Sequence, residues 1–357
     1  MKVLLLGEFS SLHKYLKEGL QELGIETTLA ANGDGWKKIG GADICIPEIQ
    51  AETILKRIKS YITYINEMKK IKGYDVVQVI NPNIFPAFIW NRVIKSLKKQ
   101  NKVLSLVAAG DDYNLLQAYK IETFEYYIFD YDKKNVKIYD KKLLSGKSRI
   151  KRDLKLERIS DIIIPSLYEY SIGYEGNTSE VIPFPINTSE IMYKENIVKD
   201  RVVFFHGLNR EASKGTAFIK EALRKLKEDY PDEVEVIIDG HMPMDKYLNI
   251  LKKTNVVVDQ CCSYGYGINA CIAMAQGKVV MSGCREETLN AFGIKNTPMI
   301  CTKPDVEYLY NKMVEIVKNK KDISKLGFES RKYVEELHDY RKVAQLYINA
   351  WKSTGKL

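Results

Sequence analysis

No run of eighteen apolar residues occurs in the 357-residue chain, so no stretch is long enough to cross a bilayer as a helix. The opening Met1-Lys2-Val3-Leu4-Leu5-Leu6-Gly7 carries too short an apolar run for a signal peptide. Glu8 and His13 follow where a small-residue cleavage site would stand, so the segment reads as a first β-strand. The six cysteines (45, 261, 262, 271, 284 and 301) form no Cys-x-x-Cys pair and have no histidine at ligand spacing, which leaves no zinc site to argue for. Free, mostly buried thiols in a reduced cytosol are expected. A P-loop is missing, as is a G-x-G-x-x-G after the first strand, which argues against a kinase or a dehydrogenase. No G-x-S-x-G elbow occurs, which removes Ser-His-Asp chemistry of that type.

What is present is the balance of a soluble globular protein, 45% hydrophobic and 28% charged, at a length that suits two domains. The net charge of +9 is uneven: residues 51–100 hold ten Lys/Arg against three Asp/Glu. Runs such as Leu55-Lys56-Arg57-Ile58-Lys59 read as solvated faces of amphipathic helices, or as a basic face toward an anionic membrane. Nucleic acid is not expected as a partner, because neither a binding module nor aromatic interleaving is evident.

Short apolar runs alternate with helical patterns throughout. Strands are expected at 3–6, 26–29, 76–80, 103–108 and 161–165, with helices at 13–23, 53–70 and 84–100 between them. Residues 126–148, rich in Tyr, Asp and Lys, read as an irregular or antiparallel insertion. Prolines around Val181-Ile182-Pro183-Phe184-Pro185-Ile186-Asn187 mark a linker. Beyond it strands are expected at 202–206, 234–239, 256–259 and 279–282, and helices at 214–227, 244–253, 268–276, 304–319 and 321–352. The alternation predicts α/β architecture with two doubly wound Rossmann-like domains facing a cleft. The boundaries read as 1–184, 185–336, and a final helical segment 337–357 packing back on the first domain.

Three constellations carry candidate chemistry. In the first, Phe204-Phe205-His206-Gly207-Leu208-Asn209-Arg210-Glu211-Ala212-Ser213-Lys214-Gly215-Thr216, a strand ends at His206 and a helix opens near Lys214. Arg210 and Lys214 there suit a diphosphate clamp beside helix N–H groups, or are solvated loop cations. His206 is a catalytic base or a strand-end core residue. In the second, Asp259-Gln260-Cys261-Cys262-Ser263-Tyr264-Gly265-Tyr266-Gly267-Ile268-Asn269-Ala270, a buried strand passes through a glycine-containing loop into a helix whose first amides can meet a ligand. The third, Ala108-Ala109-Gly110-Asp111-Asp112-Tyr113, puts two carboxylates at a strand's carboxyl end. Asp111 or Asp112 could orient an acceptor hydroxyl or act as base, or cap a helix over 114–120. His13 is an acceptor-side donor or a surface residue.

Taken together, Arg210…Lys214-Gly215, Tyr264-Gly265-Tyr266-Gly267 and Ile272-Ala273-Met274-Ala275-Gln276-Gly277-Lys278-Val279-Val280 resemble the donor half of GT-B glycosyltransferases, glycosyltransferase family four in particular. The likeness extends more loosely to Gly7-Glu8-Phe9-Ser10-Ser11 with His13, to the linker, and to a last helix ending near Trp351. The family's paired glutamates, eight positions apart, fall on Tyr264 and Ile272. With Ile272 unable to accept a hydrogen bond, Asn269 is the candidate to replace it.

The resemblance implies sugar transfer from a nucleotide-diphosphate donor to a cell-surface glycan or lipid-linked acceptor, in the cytoplasm or at the inner membrane face. It places Arg210, Lys214, His206, Gly207, Tyr264, Gly265, Tyr266, Gly267, Ile268 and Asn269 around the donor, with Asp111, Asp112 and His13 on the catalytic side. No metal and no cofactor is expected beyond the donor. The rival readings are a non-catalytic sugar-nucleotide or glycan-binding protein and a sugar-nucleotide epimerase.

Overall fold

The computed structural model describes residues 1–46, 53–121, 124–128 and 146–357. Six parallel strands form the first sheet in the order β3-β2-β1-β4-β5-β6. They are β1 (Lys2–Leu6), β2 (Glu26–Ala31), β3 (Ile44–Cys45), β4 (Val76–Val79), β5 (Val103–Ala108) and β6 (Ile162–Pro165). The second sheet runs β11-β10-β9-β7-β8, again all parallel, from β7 (Val202–Gly207), β8 (Val234–Asp239), β9 (Val256–Val258), β10 (Val279–Ser282) and β11 (Ile300–Cys301). Central strands such as β5 are buried at every position, as expected where helices cover both sheet faces.

The first sheet's crossovers include α1 (Leu12–Glu22), α2 (Ile54–Lys69), α3 (Trp90–Gln100), α4 (Tyr113–Ile121), α5 (Lys147–Ile159) and α6 (Tyr168–Gly173). Those around the second are α7 (Glu211–Lys214), α8 (Thr216–Asp229), α9 (Met244–Leu251), α10 (Ile268–Ala275), α11 (Glu286–Ala291) and α12 (Val306–Lys318), followed by α13 (Ile323–Leu337) and α14 (Tyr340–Lys352).

Several expectations are corrected. The helix expected over 84–100 starts only at Trp90, because Pro86 has no N–H to donate and holds Phe85 extended at φ −103° and ψ 144°. The single helix expected over 321–352 breaks at His338 and Asp339. There the chain pairs with the linker: Ile186 N–H donates to the His338 carbonyl (2.8 Å) and Tyr340 N–H to the Ile186 carbonyl (3.3 Å). Helices α5, α6 and α11 had no sequence signal. In α5, Lys-Ser-Arg-Ile-Lys-Arg-Asp-Leu-Lys-Leu-Glu-Arg-Ile masks its inner face, since Asp153 and Glu157 are themselves buried. The insertion expected at 126–148 lies largely outside the described residues. Cys284 and Cys301 are not free but joined, Cα–Cα 5.1 Å, tying the end of β10 to β11. Cys261, Cys262 and Cys271 are buried thiols and Cys45 is exposed.

The last helix crosses back onto the first domain. A Cβ at Gly19 of α1 would lie 2.2 Å from the Tyr340 carbonyl oxygen, so the two helices approach at backbone distance. Trp351, fully buried, donates its indole N–H toward Gln78 Oε1 (3.1 Å) and Ser105 Oγ (3.2 Å) beneath the first sheet. The two segments at 182–187 and at His338–Asp339 therefore lie side by side, with Phe184 also lining the cleft.

Candidate functional site

The carboxyl ends of the two sheets face one another across a cleft of about 430 Å³. In the second sheet, β7 lies between β8 and β9, so the chain reverses its order of addition there, and the loops after β7 and β9 border the cleft. Ligands of open α/β sheets bind at such switch points.

The loop after β7 turns sharply through Arg210 (φ 58°) and Gly215 (φ 72°). At Gly215 a Cβ would meet Cys261 Sγ at 2.3 Å, so the two loops touch only because that side chain is absent. Arg210 lines the cleft and donates to Asp111 Oδ1 of the opposite domain (2.6 Å). Lys214 sits lower, its ammonium 2.8 Å from Asp259 Oδ1, with both side chains largely shielded from water. Asp259 also accepts from Ser282 Oγ at 3.1 Å. The turn thus separates the two cations: one faces the cleft, the other is anchored under it.

The loop after β9 leads through Gly267 into α10. Gly267 and Ile268 line the cleft; the Ala270 and Cys271 N–H groups turn back to the Gly267 carbonyl (3.0 and 3.3 Å), and the positive end of α10 is presented to that space at Gly267 and Ile268. Gly207 and Asn269 border a smaller hollow beside it with Asp239, Met242 and Tyr247.

Other expected site residues lie away from ligand-accessible space. His206 is fully buried: its Nδ1 is 2.7 Å from the Val258 carbonyl and its Nε2 2.8 Å from Thr216 Oγ1. Burial lowers its pKa to about 4, so it is a neutral strap between β7, β9 and α8. His13 is likewise sealed, with Nδ1 2.8 Å from the Gly7 carbonyl and Nε2 3.2 Å from Gln78 Nε2. It is neither a surface residue nor presented to the cleft.

The adjacent aspartates divide their roles. Asp112 is buried and caps α4 by accepting from Leu115 N–H (2.8 Å) and from the Tyr174 hydroxyl. Burial raises its pKa to about 7, against the pull of the Tyr174 hydrogen bond. Asp111 is the one at the cleft.

Tyr264 accepts from Glu125 N–H (2.7 Å) and packs against Phe124 and Tyr126, with the Arg285 guanidinium 4.9 Å from its ring centre. It closes the interdomain seam. Tyr266 borders the cleft with a buried ring, and its hydroxyl joins Tyr333 (2.7 Å) and His338 (2.9 Å). Ile272 is in the core. Gly265 gives its N–H to Glu169 Oε1 (3.0 Å), which also accepts from Ser263 Oγ (2.7 Å). Glu169 belongs to α6 of the first domain, is 3% exposed, and holds the glycine loop from across the cleft. Sequence reasoning missed it, and no local signal could have revealed a contact spanning 96 residues.

These features define a GT-B architecture: two parallel-sheet α/β domains around a cleft, with the terminal helix returned to the first. No family model matches the chain, and no curated protein sequence does. Among solved structures, it is similar to sucrose-phosphate synthase from Thermosynechococcus elongatus, at 15% identity and TM-score 0.63, covering 99% of this chain and 100% of that one. It is also similar to Anabaena HepE solved with UDP-glucose, at 13% identity and TM-score 0.60 with 99% and 100% coverage. A third similar structure is WaaG, a glycosyltransferase involved in lipopolysaccharide biosynthesis, at 11% identity and TM-score 0.59 with 97% and 98% coverage.

Proposed function

We propose that the chain is a glycosyltransferase that takes a sugar from a nucleotide-diphosphate donor held by the second domain. The observation that carries this reading is the cleft itself: Arg210 and the start of α10 at Gly267 and Ile268 border one space at the switch point of the second sheet. A guanidinium and the positive end of a helix are the groups that stabilise a departing diphosphate as the sugar–oxygen bond breaks. In this scheme Lys214 reinforces the positive end, and Asn269 with Gly207 borders a small hollow of about 30 Å³ beside the donor's place. Asp111 presents its carboxylate to the acceptor side once the donor competes for Arg210. Closure about the paired hinge segments keeps water from the reacting bond. That HepE was solved with UDP-glucose makes uridine nucleotides the first to try.

The acceptor we propose is a cell-surface glycan or a lipid-linked sugar. Helix α2 exposes Ile54 (79%), Leu55 (80%) and Ile62 (56%), with Phe88 (60%) nearby, among Lys56, Arg57 and Lys59. Apolar side chains in a basic surround suit the face of an anionic bilayer, where such an acceptor would reside.

A binding protein without turnover is favoured by one observation: the glutamate positions of the related motif hold Tyr264, engaged with Glu125, and the buried Ile272. The epimerase reading required His206 in the cleft and gains no support from a buried, neutral ring.

The test is a thermal-shift panel of nucleotides and nucleotide sugars on the wild type and Arg210→Ala, followed by donor-hydrolysis measurements. A ligand at about a hundred times its dissociation constant adds roughly 2.7 kcal/mol. A shift with one nucleotide sugar, weakened in Arg210→Ala and accompanied by turnover, is the expected result. Binding without turnover selects the non-catalytic reading, and no shift with any compound refutes the donor site.

A further inference from the structure

The Cys284–Cys301 bond joins two short segments of the second domain, and each of them holds residues 124–126 of the first. Arg285, next to one cysteine, pairs its guanidinium with Glu125 (2.8 Å) and lies 5.8 Å from the Tyr126 ring centre. Its N–H donates to the Tyr264 carbonyl at 3.1 Å. Thr302, next to the other cysteine, accepts from the Tyr126 hydroxyl through its carbonyl (3.1 Å). Its own hydroxyl donates to the Gln260 carbonyl (2.6 Å). On the far side of Cys284, a Cβ at Gly283 would lie 2.2 Å from the Ser263 carbonyl oxygen and 2.3 Å from that of Gly265. This segment therefore rests directly on the glycine loop, and Gln260 and Ser263 of that loop line the cleft. The disulfide cross-braces two grips on one interdomain seam.

The brace matters because one of the segments is weakly held without it. Strand β11 is two residues long and lies at the edge of its sheet, with β10 as its one neighbour. Its pairing is Met281 with Ile300 and Ser282 with Cys301, continued by Thr302 N–H to the Ser282 carbonyl (3.0 Å). The Tyr308 hydroxyl adds a hydrogen bond to the Cys301 carbonyl (3.1 Å). Short edge elements with few backbone bonds sit at the low end of local stability, so a cross-link there changes order more than one between central strands.

The two sulfurs also differ in surroundings. Cys284 is 2% exposed, whereas Cys301 is half-buried and borders a groove of about 650 Å³ with Met299, Tyr308 and Lys312. A small-molecule thiol fits a groove of that size and approaches the pair from the Cys301 side.

We propose that Cys284 and Cys301 form a reversible thiol–disulfide exchange site, opened by a small-molecule thiol along this groove, and that its reduction releases the second domain's hold on residues 124–126. The incoming thiolate attacks Cys301 Sγ, and the sulfur–sulfur bond breaks with Cys284 leaving as a thiolate that takes a proton from water. A second small thiolate then attacks the mixed disulfide, and Cys301 leaves in its turn and is protonated. Two small thiols are oxidised to one disulfide while the protein's disulfide is reduced to two thiols. With β11 free to fray, Thr302 loses its register against Tyr126 and Gln260, and Arg285 loses its tie to that strand. The inference stands apart from the donor reading and needs no nucleotide to test.

The experiment equilibrates the full chain, without denaturant, in glutathione mixtures from fully oxidised to fully reduced. Alkylation with peptide mapping reads the thiols, the exposed Cys45 serving as internal reference. Hydrogen-exchange mass spectrometry on the same samples reads the seam. Cys284 and Cys301 should pass from bonded to alkylated across the series and return on re-oxidation. Exchange in peptides covering 124–128, 260–267 and 299–303 should quicken about tenfold or more in the reduced protein, while β5 stays unchanged. Cys284→Ser/Cys301→Ser should show the reduced pattern in every mixture, and the wild type carries the test by itself if that variant folds poorly. A bond that yields only on unfolding, a pair that stays reduced in oxidised glutathione, unchanged exchange at 124–128, or faster exchange throughout both domains overturns the inference.

Discussion

Lys214→Ala should be far more destabilising than its position in a loop suggests. The lysine's ammonium lies 2.8 Å from Asp259 Oδ1, with side-chain exposures of 13% and 4%. Truncation leaves a buried carboxylate whose remaining side-chain donor is Ser282 Oγ at 3.1 Å. Breaking a buried pair from one side costs roughly 3–5 kcal/mol, and the surviving serine contact argues for the lower end, about 3 kcal/mol. For a domain of this size that corresponds to a fall in Tm of about 6–12 °C. Arg210→Ala, by contrast, removes an ion pair with a half-exposed guanidinium and should cost no more than about 1 kcal/mol. Calorimetry on the wild type, Lys214→Ala, Asp259→Asn and the double variant separates the contributions, since the double variant removes the orphaned charge and should recover at least half of the loss. A Tm change below about 2 °C in Lys214→Ala, or a double variant as unstable as the single, refutes the reasoning. The outcome also governs ligand studies: a fold-destabilised Lys214 variant cannot report on diphosphate binding, whereas Arg210→Ala can.

Gly215→Ala should destabilise by about 2 kcal/mol or more, from its φ of 72° and a Cβ placed 2.3 Å from Cys261 Sγ, and chemical denaturation measures it. Glu169→Ala strips the acceptor from Ser263 Oγ and the Gly265 N–H, at about 1–3 kcal/mol for each orphan, while Glu169→Gln keeps an oxygen there and should lose less of its Tm. The pH response follows from opposed groups. His13, His206 and His338 have pKa values lowered to about 4 by burial, so acidification from 6.5 toward 4 protonates the unfolded chain first and destabilises the fold. Glu8 and Asp112, raised to about 7, take up protons first in the folded state and stabilise it as pH falls from 7 toward their unfolded values. Glu8→Gln/Asp112→Asn should therefore lose Tm more steeply than the wild type between pH 7 and 5, and an equal slope would contradict the two shifts.

Much of the framework is local and hence legible in the residues. Val103–Ala108 is apolar and buried on both faces, and Val279–Ser282 likewise, so their assignment as parallel strands needs no partner. Gly24, at φ 75°, ends α1 as a stop glycine does. The misread boundaries have local causes too: Pro86 delays α3, and the polar surface of α5 hides its packed side. The break at His338 is different in kind, because it exists only through pairing with Ile186 more than 150 residues earlier.

The candidate site divides the same way. Sequence by itself determined the two α/β halves, the loops after β7 and β9, and the placement of cations and glycines beside a helix start, because strand order and turn chemistry are written in neighbouring residues. Tertiary structure alone decided which of those side chains reach the cleft. It sent His13, His206 and Asp112 into the core, split Arg210 from Lys214, and brought Glu169 across to the glycine loop. Burial and pairing depend on what the rest of the chain packs against each group, and no spacing along the sequence encodes that.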